Sequence, residues 1–209
     1  FTVGPQSLVA VDQGGNVAGV SVKDSTVTTV NLSTAGEPMT QALDGKLTTN
    51  QVSVTVVGDA WAVLDAGSGV LYLPGRTVAL TETNLGVPTA GVLAQPSAEA
   101  TEAVIAFAGG LARVSMGGAV SVDLKVASMG RPVPPRIQDG CVYAAWTVGR
   151  VWVHCPNSVG VTTELEGVTA TSRLVIRERD GVLALNDQQS GTSWTLQDGV
   201  HMIDNWDDL

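Results

Sequence analysis

The 209-residue chain carries 33 valines, 21 threonines and 24 glycines, with 44% hydrophobic and 15% charged residues. β-Branched side chains crowd a helical turn and suit a pleated strand, so a helical bundle is excluded, and the apolar content excludes a disordered chain. Eleven basic against twenty acidic residues give a formal net charge of −9, which offers no basic footprint to nucleic acid or to an anionic membrane surface.

One pattern recurs along the chain: an alternating strand, a tight turn holding glycine, then a second alternating strand. It occurs as SLVAVDQGGNVAGVSV (7–22), AWAVLDAGSGVLYL (60–73), AVIAFAGGLARVSM (103–116), CVYAAWTVGRVWVH (141–154) and VLALNDQQSGTSWTL (182–196). The glycines opening the second strands are Gly15, Gly69, Gly110, Gly149 and Gly191, and the last four lie about 40 residues apart. A third alternating run follows each unit: TVTTVNL, RTVALTE, AVSVDLKV, VTTELEGV and VHMIDNW. The runs QVSVTVV (51–57) and RLVIRER (173–179) precede two of them as a fourth.

Four strands in about 40 residues, repeated, predict an all-β chain of about five four-stranded blades, a β-propeller. Blade limits fall near 1–33, 51–82, 91–126, 137–168 and 173–206. Tandem β-sandwiches could use the same strand count but do not require a glycine-centred repeat of this period. The stretches 33–50, 84–100 and the proline-rich RPVPPR (131–136) read as connections between blades. Only Phe1-Thr2-Val3 precedes the first hairpin, so the innermost strand of the first blade is expected to be missing or truncated. The units then form either a small closed ring or the C-terminal part of a larger propeller, completed by upstream blades or by another copy.

Cys141 and Cys155 flank a hairpin whose turn falls at Val148-Gly149, which sets them opposite each other. Facing positions come close enough for a disulfide, and such a bond implies an oxidising, extracytoplasmic compartment. Two buried free thiols or a metal site are the rival readings. A metal would need more ligands, and the nearby His154 points to the opposite face from Cys155. Trp146 and Trp152 are expected to pack around the cysteine pair, and Trp61 and Trp194 to fill the space between blades.

The stretches GDAWAVLDAGSGVLYLPGRTVAL (58–80), LAQPSAEATEAVIAFAGGLARVSMGG (93–118) and DGCVYAAWTVGRVWVHC (139–155) carry a family likeness. So do LEGV with RLVIRERDGVLALNDQQSGTSWTLQ (165–197) and the closing IDNWDDL (203–209). Over residues 51–209 the chain resembles the propeller region of large actinobacterial cell-surface proteins that carry fibronectin type III or other immunoglobulin-like repeats. The resemblance implies export, propeller blades upstream of residue 1 and Ig-like modules after residue 209. It also implies a fragment, excised or processed, because the family's membrane segment and first blades are not in this sequence. It carries over no catalytic residue.

Candidate sites are few. Asp204, Asn205, Asp207 and Asp208 surround Trp206 and offer the oxygen ligands calcium prefers, although the run reads more simply as Asx turns ending a strand. Asp12, Asp65 and Asp187 precede the turn glycines of their units and read as turn formers. The alternative is that such carboxylates line one propeller mouth and bind or process a glycan. Arg173, Arg177 and Arg179 share a strand face as a solvated stripe. No Ser-His-Asp, HExxH, P-loop or GxGxxG context occurs, so no catalytic residue and no cofactor are expected. The expected role is a non-catalytic extracytoplasmic module presenting an acidic rim to protein or cell-wall glycan, with no membrane insertion by this segment.

Overall fold

The computed structural model describes residues 3, 4, 6–47, 51–80, 91–169 and 171–203. Alternating apolar runs separated by tight turns give twenty strands in five four-stranded antiparallel sheets. The first sheet contains β1 (Ser7–Val11), β2 (Asn16–Ser21), β3 (Thr26–Asn31) and β4 (Met39–Ala42). The second contains β5 (Val52–Val57), β6 (Ala60–Asp65), β7 (Val70–Leu73) and β8 (Arg76–Ala79). The third contains β9 (Val92–Leu93), β10 (Glu102–Phe107), β11 (Gly110–Ser115) and β12 (Val120–Lys125). The fourth contains β13 (Pro132–Gln138), β14 (Cys141–Trp146), β15 (Arg150–His154) and β16 (Val161–Glu164). The fifth contains β17 (Leu174–Arg179), β18 (Val182–Asp187), β19 (Ser193–Thr195) and β20 (His201–Ile203). Consecutive strands are neighbours in every sheet. This is propeller architecture, and all five expected turn glycines have positive φ.

The sheets stack through β1 on β5, β5 on β9, β9 on β13 and β13 on β17. Each sheet is too small to bury both faces alone, so neighbours cover one another. Period-2 alternation divides the core accordingly. Trp61 and Val63 face the first sheet, while Ala62 and Leu64 face the third. Tyr143 and Ala145 face the fifth sheet, while Ala144 and Trp146 join the cluster shared with the third. None of these clusters joins the fifth sheet to the first. Val9 and Val11, on the first sheet's outer face, are 55% and 52% exposed. Among the described residues the five sheets are therefore an arc whose two end faces do not pack on each other.

Three expectations need correction. The first hairpin is not the middle pair of its blade. β1 and β2 are the strands that pack on β5, so β1 is innermost and the first sheet is complete with β3 and β4. In the other four sheets the recognised hairpin joins the second and third strands, and that phase shift lengthens the first interval. Residues 33–50 accordingly contain β4 instead of forming only a connection, and 84–100 contain β9.

The proline-rich run is a strand as well. β13 is the inner edge of its sheet and its register shifts between Val133 and Arg136, which places Pro134 and Pro135 at an irregularity. Edge strands and bulges tolerate proline because no second ladder needs its missing N–H.

Lastly, Trp146 and Trp152 do not surround the cysteines. Both lie on the opposite face of the β14–β15 hairpin, in the core shared with the third sheet. Facing residues of an antiparallel pair share parity, and even-numbered tryptophans cannot share a face with odd-numbered cysteines. The reading of the tryptophans as core holds: Trp61, Trp146, Trp152 and Trp194 are all buried, and Trp146 Nε1 donates to Phe107 O at 2.9 Å.

Candidate functional site

The inner strands β1, β5, β9, β13 and β17 each lead into a turn at the same end of the arc, and these turns form a polar mouth. Two of the turns are Asp-Gly pairs with positive φ at both positions, Asp139-Gly140 and Asp180-Gly181. Asp-Gly favours that geometry because aspartate tolerates it and glycine has no Cβ to clash. A third Asp-Gly pair, Asp198-Gly199, turns β19 into β20. All three stand in the sequence as QDG or RDG between alternating runs, a hairpin signal the glycine-centred repeat passed over.

Hydrogen bonds stitch the mouth from sheet to sheet. Asn16 Nδ2 reaches Gly58 O at 3.4 Å, the Gly58 amide donates to Ser97 O at 3.0 Å, and the Gln95 amide donates to Pro135 O at 2.7 Å. Gln95 Nε2 donates to Ile176 O at 3.0 Å, and Gln138 Nε2 to Gly181 O at 2.7 Å. Glu178 is the hub. It accepts from Gln13 Nε2 at 2.5 Å, from Arg136 Nη2 at 3.3 Å and from the Gly181 amide at 3.0 Å. Glu99 Oε1 accepts from the Asp139 amide at 3.0 Å.

Between them lies a pocket of about 360 Å³ whose charged lining is Glu99, Asp139, Glu178 and the single cation Arg136. Two buried polar atoms there, Arg136 Nε and Gln138 Oε1, have no hydrogen-bond partner in the protein. A buried donor and acceptor without partners favour a polar guest over an apolar one. None of these residues was legible as a site in the sequence, because they come from turns up to 165 residues apart.

The three turn aspartates are not brought together. Asp12 belongs to an inner-strand turn at the mouth end, whereas Asp65 and Asp187 sit in turns between second and third strands, at the other end. All three are buried and bond their own turns. Asp12 accepts from the Asn16 amide at 2.8 Å, and Asp65 from the Gly67 amide at 3.1 Å. Asp187 accepts from Ser172 Oγ, the Arg173 and Gln189 amides and Ser190 Oγ. Burial alone would raise the Asp187 pKa, but those four donors outweigh it and bring it down to about 2.

Cys141 and Cys155 form a disulfide, with Cα atoms 4.0 Å apart, one pair beyond Val142↔His154 in the ladder. The bond fits an oxidising compartment. No helix of the described residues is long and apolar enough to cross a membrane. Arg177 and Arg179 are exposed, as is Arg173. The calcium candidates Asp204, Asn205, Asp207 and Asp208 lie outside the described residues, and among those described no three acidic, histidine or cysteine side chains gather to hold a metal.

No protein-family model matches the chain, and no curated protein matches it. Solved structures do. Virginiamycin B lyase from Staphylococcus aureus aligns with a TM-score of 0.61 at 9% identity, over 93% of this chain and 67% of that one. Hsv2 from Kluyveromyces lactis gives 0.58 at 12% identity, over 94% and 62%. The nidogen/laminin complex gives 0.55 at 12% identity, over 90% and 73%. This chain thus spans about two thirds of the length of these neighbours, and the likeness shows the propeller fold.

Proposed function

We propose that the chain is a non-catalytic interaction module of an extracytoplasmic bacterial surface protein, with the mouth formed by the inner-strand turns as its recognition surface. The observation that carries this reading is the Gln13–Arg136–Glu178 network, which holds turns from three sheets around a polar pocket. Two of its three carboxylates are engaged: Glu178 serves three donors and Glu99 holds the Asp139 amide. Groups locked in this way suit a rigid rim that presents charge more than a proton-transferring pair. The unpartnered Arg136 Nε and Gln138 Oε1 add a donor and an acceptor for a polar partner group. The fold is shared with nidogen, crystallised in complex with laminin. The disulfide supports export, and an exported module of this kind would meet proteins or cell-wall glycans as partners.

A second reading is a carbohydrate-processing propeller, for which the mouth offers the carboxylates of Glu99, Asp139 and Glu178. A glycan array, a cross-linking screen against exported proteins and a turnover assay on every glycan bound separate the two. Binding without turnover, weakened by Glu99→Gln, is expected. Turnover abolished by one Asp→Asn change overturns the interaction reading.

A further inference from the structure

A second concavity, of about 710 Å³, opens between the fourth and fifth sheets on the disulfide face of the β14–β15 hairpin. Its apolar wall is made by Cys141–Cys155, Tyr143, Val153, Val159 and Val161. Val159 and Val161 are 86% and 60% exposed, the kind of clustered apolar exposure that marks a contact site. The charged lining consists of Asp139 and Asp198, with no lysine, arginine or histidine. Both aspartates stand at the first position of Asp-Gly turns and are exposed. Neither carboxylate has an ion-pair partner among the described residues. Two other polar side chains of the wall are occupied internally: Gln197 holds the Leu183 amide and Gly181 O, and Ser158 Oγ bonds Cys155 O.

The two aspartates act on the same space. The Tyr143 phenol is raised above its ordinary pKa by burial first, then by the charges of Asp139 and Asp198. The groove therefore combines an aliphatic floor with an unneutralised negative rim. Lysine and arginine match that combination, since their methylene stems cover apolar surface while the charged end stays at the polar edge. The volume leaves room for flanking residues as well. The chain's own closing run, DNWDDL, and a second copy at net charge −9 both carry the wrong sign.

We propose that this groove is a peptide-binding site that takes a lysine or arginine side chain from an extended segment of a partner protein. The stem lies on the disulfide and Val161, and the cationic end sits between Asp139 and Asp198. The site is separate from the mouth in its floor and in Asp198, although Asp139 borders both.

The test is methyl NMR of the intact, oxidised chain titrated with acetyl-Val-Thr-Lys-Val-Thr-amide, beside analogues with norleucine or glutamate in place of lysine. Saturable shifts at Val153, Val159 and Val161 are expected with the lysine peptide. Norleucine should bind about tenfold more weakly, and Asp198→Asn should cost the lysine peptide a similar factor. Gln13→Ala, at a residue that lines the mouth and touches neither groove aspartate, should leave this titration unchanged while weakening any mouth ligand. Equal binding of lysine and norleucine, shifts confined to the mouth, or no shift at all overturns the proposal. So does tighter binding of a peptide copying residues 203–209.

Discussion

Gln13 of the first sheet and Glu178 of the fifth meet at 2.5 Å across the mouth, joining the two ends of an arc whose sheet faces do not pack together. The contact is polar and sits at the inner radius, where the turns converge. Glu178 also neutralises Arg136, whose side chain is 12% exposed. Glu178→Ala leaves that guanidinium uncompensated and is expected to destabilise the chain by about 2–3 kcal/mol, whereas Gln13→Ala, at an exposed contact, should cost under about 1 kcal/mol. Chemical denaturation of the three proteins checks the order. Equal midpoints would mean that Glu178 holds nothing together.

The disulfide closes a short loop, with a sequence separation of 14. Constraint of an unfolded loop of that size is worth about 3 kcal/mol. Thiol counting in denaturant should find none in protein purified without reductant. Reduction, or paired Cys→Ser substitution, should lower the melting temperature without unfolding the chain at room temperature, because the Tyr143 and Ala145 side of the sheet keeps its packing on the fifth.

Asp187 predicts an acid limb in the stability profile. Its folded pKa, about 2, lies below the ordinary 3.8. A depressed carboxylate contributes stability that is fully present above about pH 4 and is lost as pH falls toward 2. Asp187→Ala should remove on the order of 1–2 kcal/mol at pH 7 and flatten the pH dependence of the denaturation midpoint between pH 4 and 2. An unchanged acid limb in the variant would show that the four donors do not favour the charged form.

Two of the five repeat glycines separate crowding from backbone conformation. A Cβ at Gly110 would stand 1.8 Å from Leu124 O, while one at Gly191 would meet nothing within 4 Å. Both have positive φ. Gly191→Ala should cost about 1 kcal/mol, the left-handed penalty alone, and Gly110→Ala should cost several times that by forcing β11 and β12 apart. Thermal melts of the two variants decide it, and equal losses would remove the crowding argument.

The five hairpins were readable because each is local: alternation sets the strands, and glycine sets the turn. The phase of the first hairpin was not, since β1–β2 and β6–β7 look alike in composition and differ only in which strand packs on the next sheet. The strand at Pro132–Gln138 was hidden for a related reason. Proline argues against a central strand, and only the assembled propeller shows that β13 is an inner edge with an irregular register. The tryptophan placement was available in principle, because parity alone puts Trp146 and Trp152 opposite the cysteines.

Valine and threonine content, alternation and a 40-residue period pointed by themselves to a propeller of four-stranded sheets, and the spacing of Cys141 and Cys155 set them opposite each other in one hairpin. These are properties of contacts within a few dozen residues. Only the tertiary structure decided which turns share an end, that Gln13, Glu99, Arg136 and Glu178 meet at one mouth, and that Asp139 and Asp198 flank one groove. Radial stacking brings together turns separated by whole blades, and no local pattern records which of them converge.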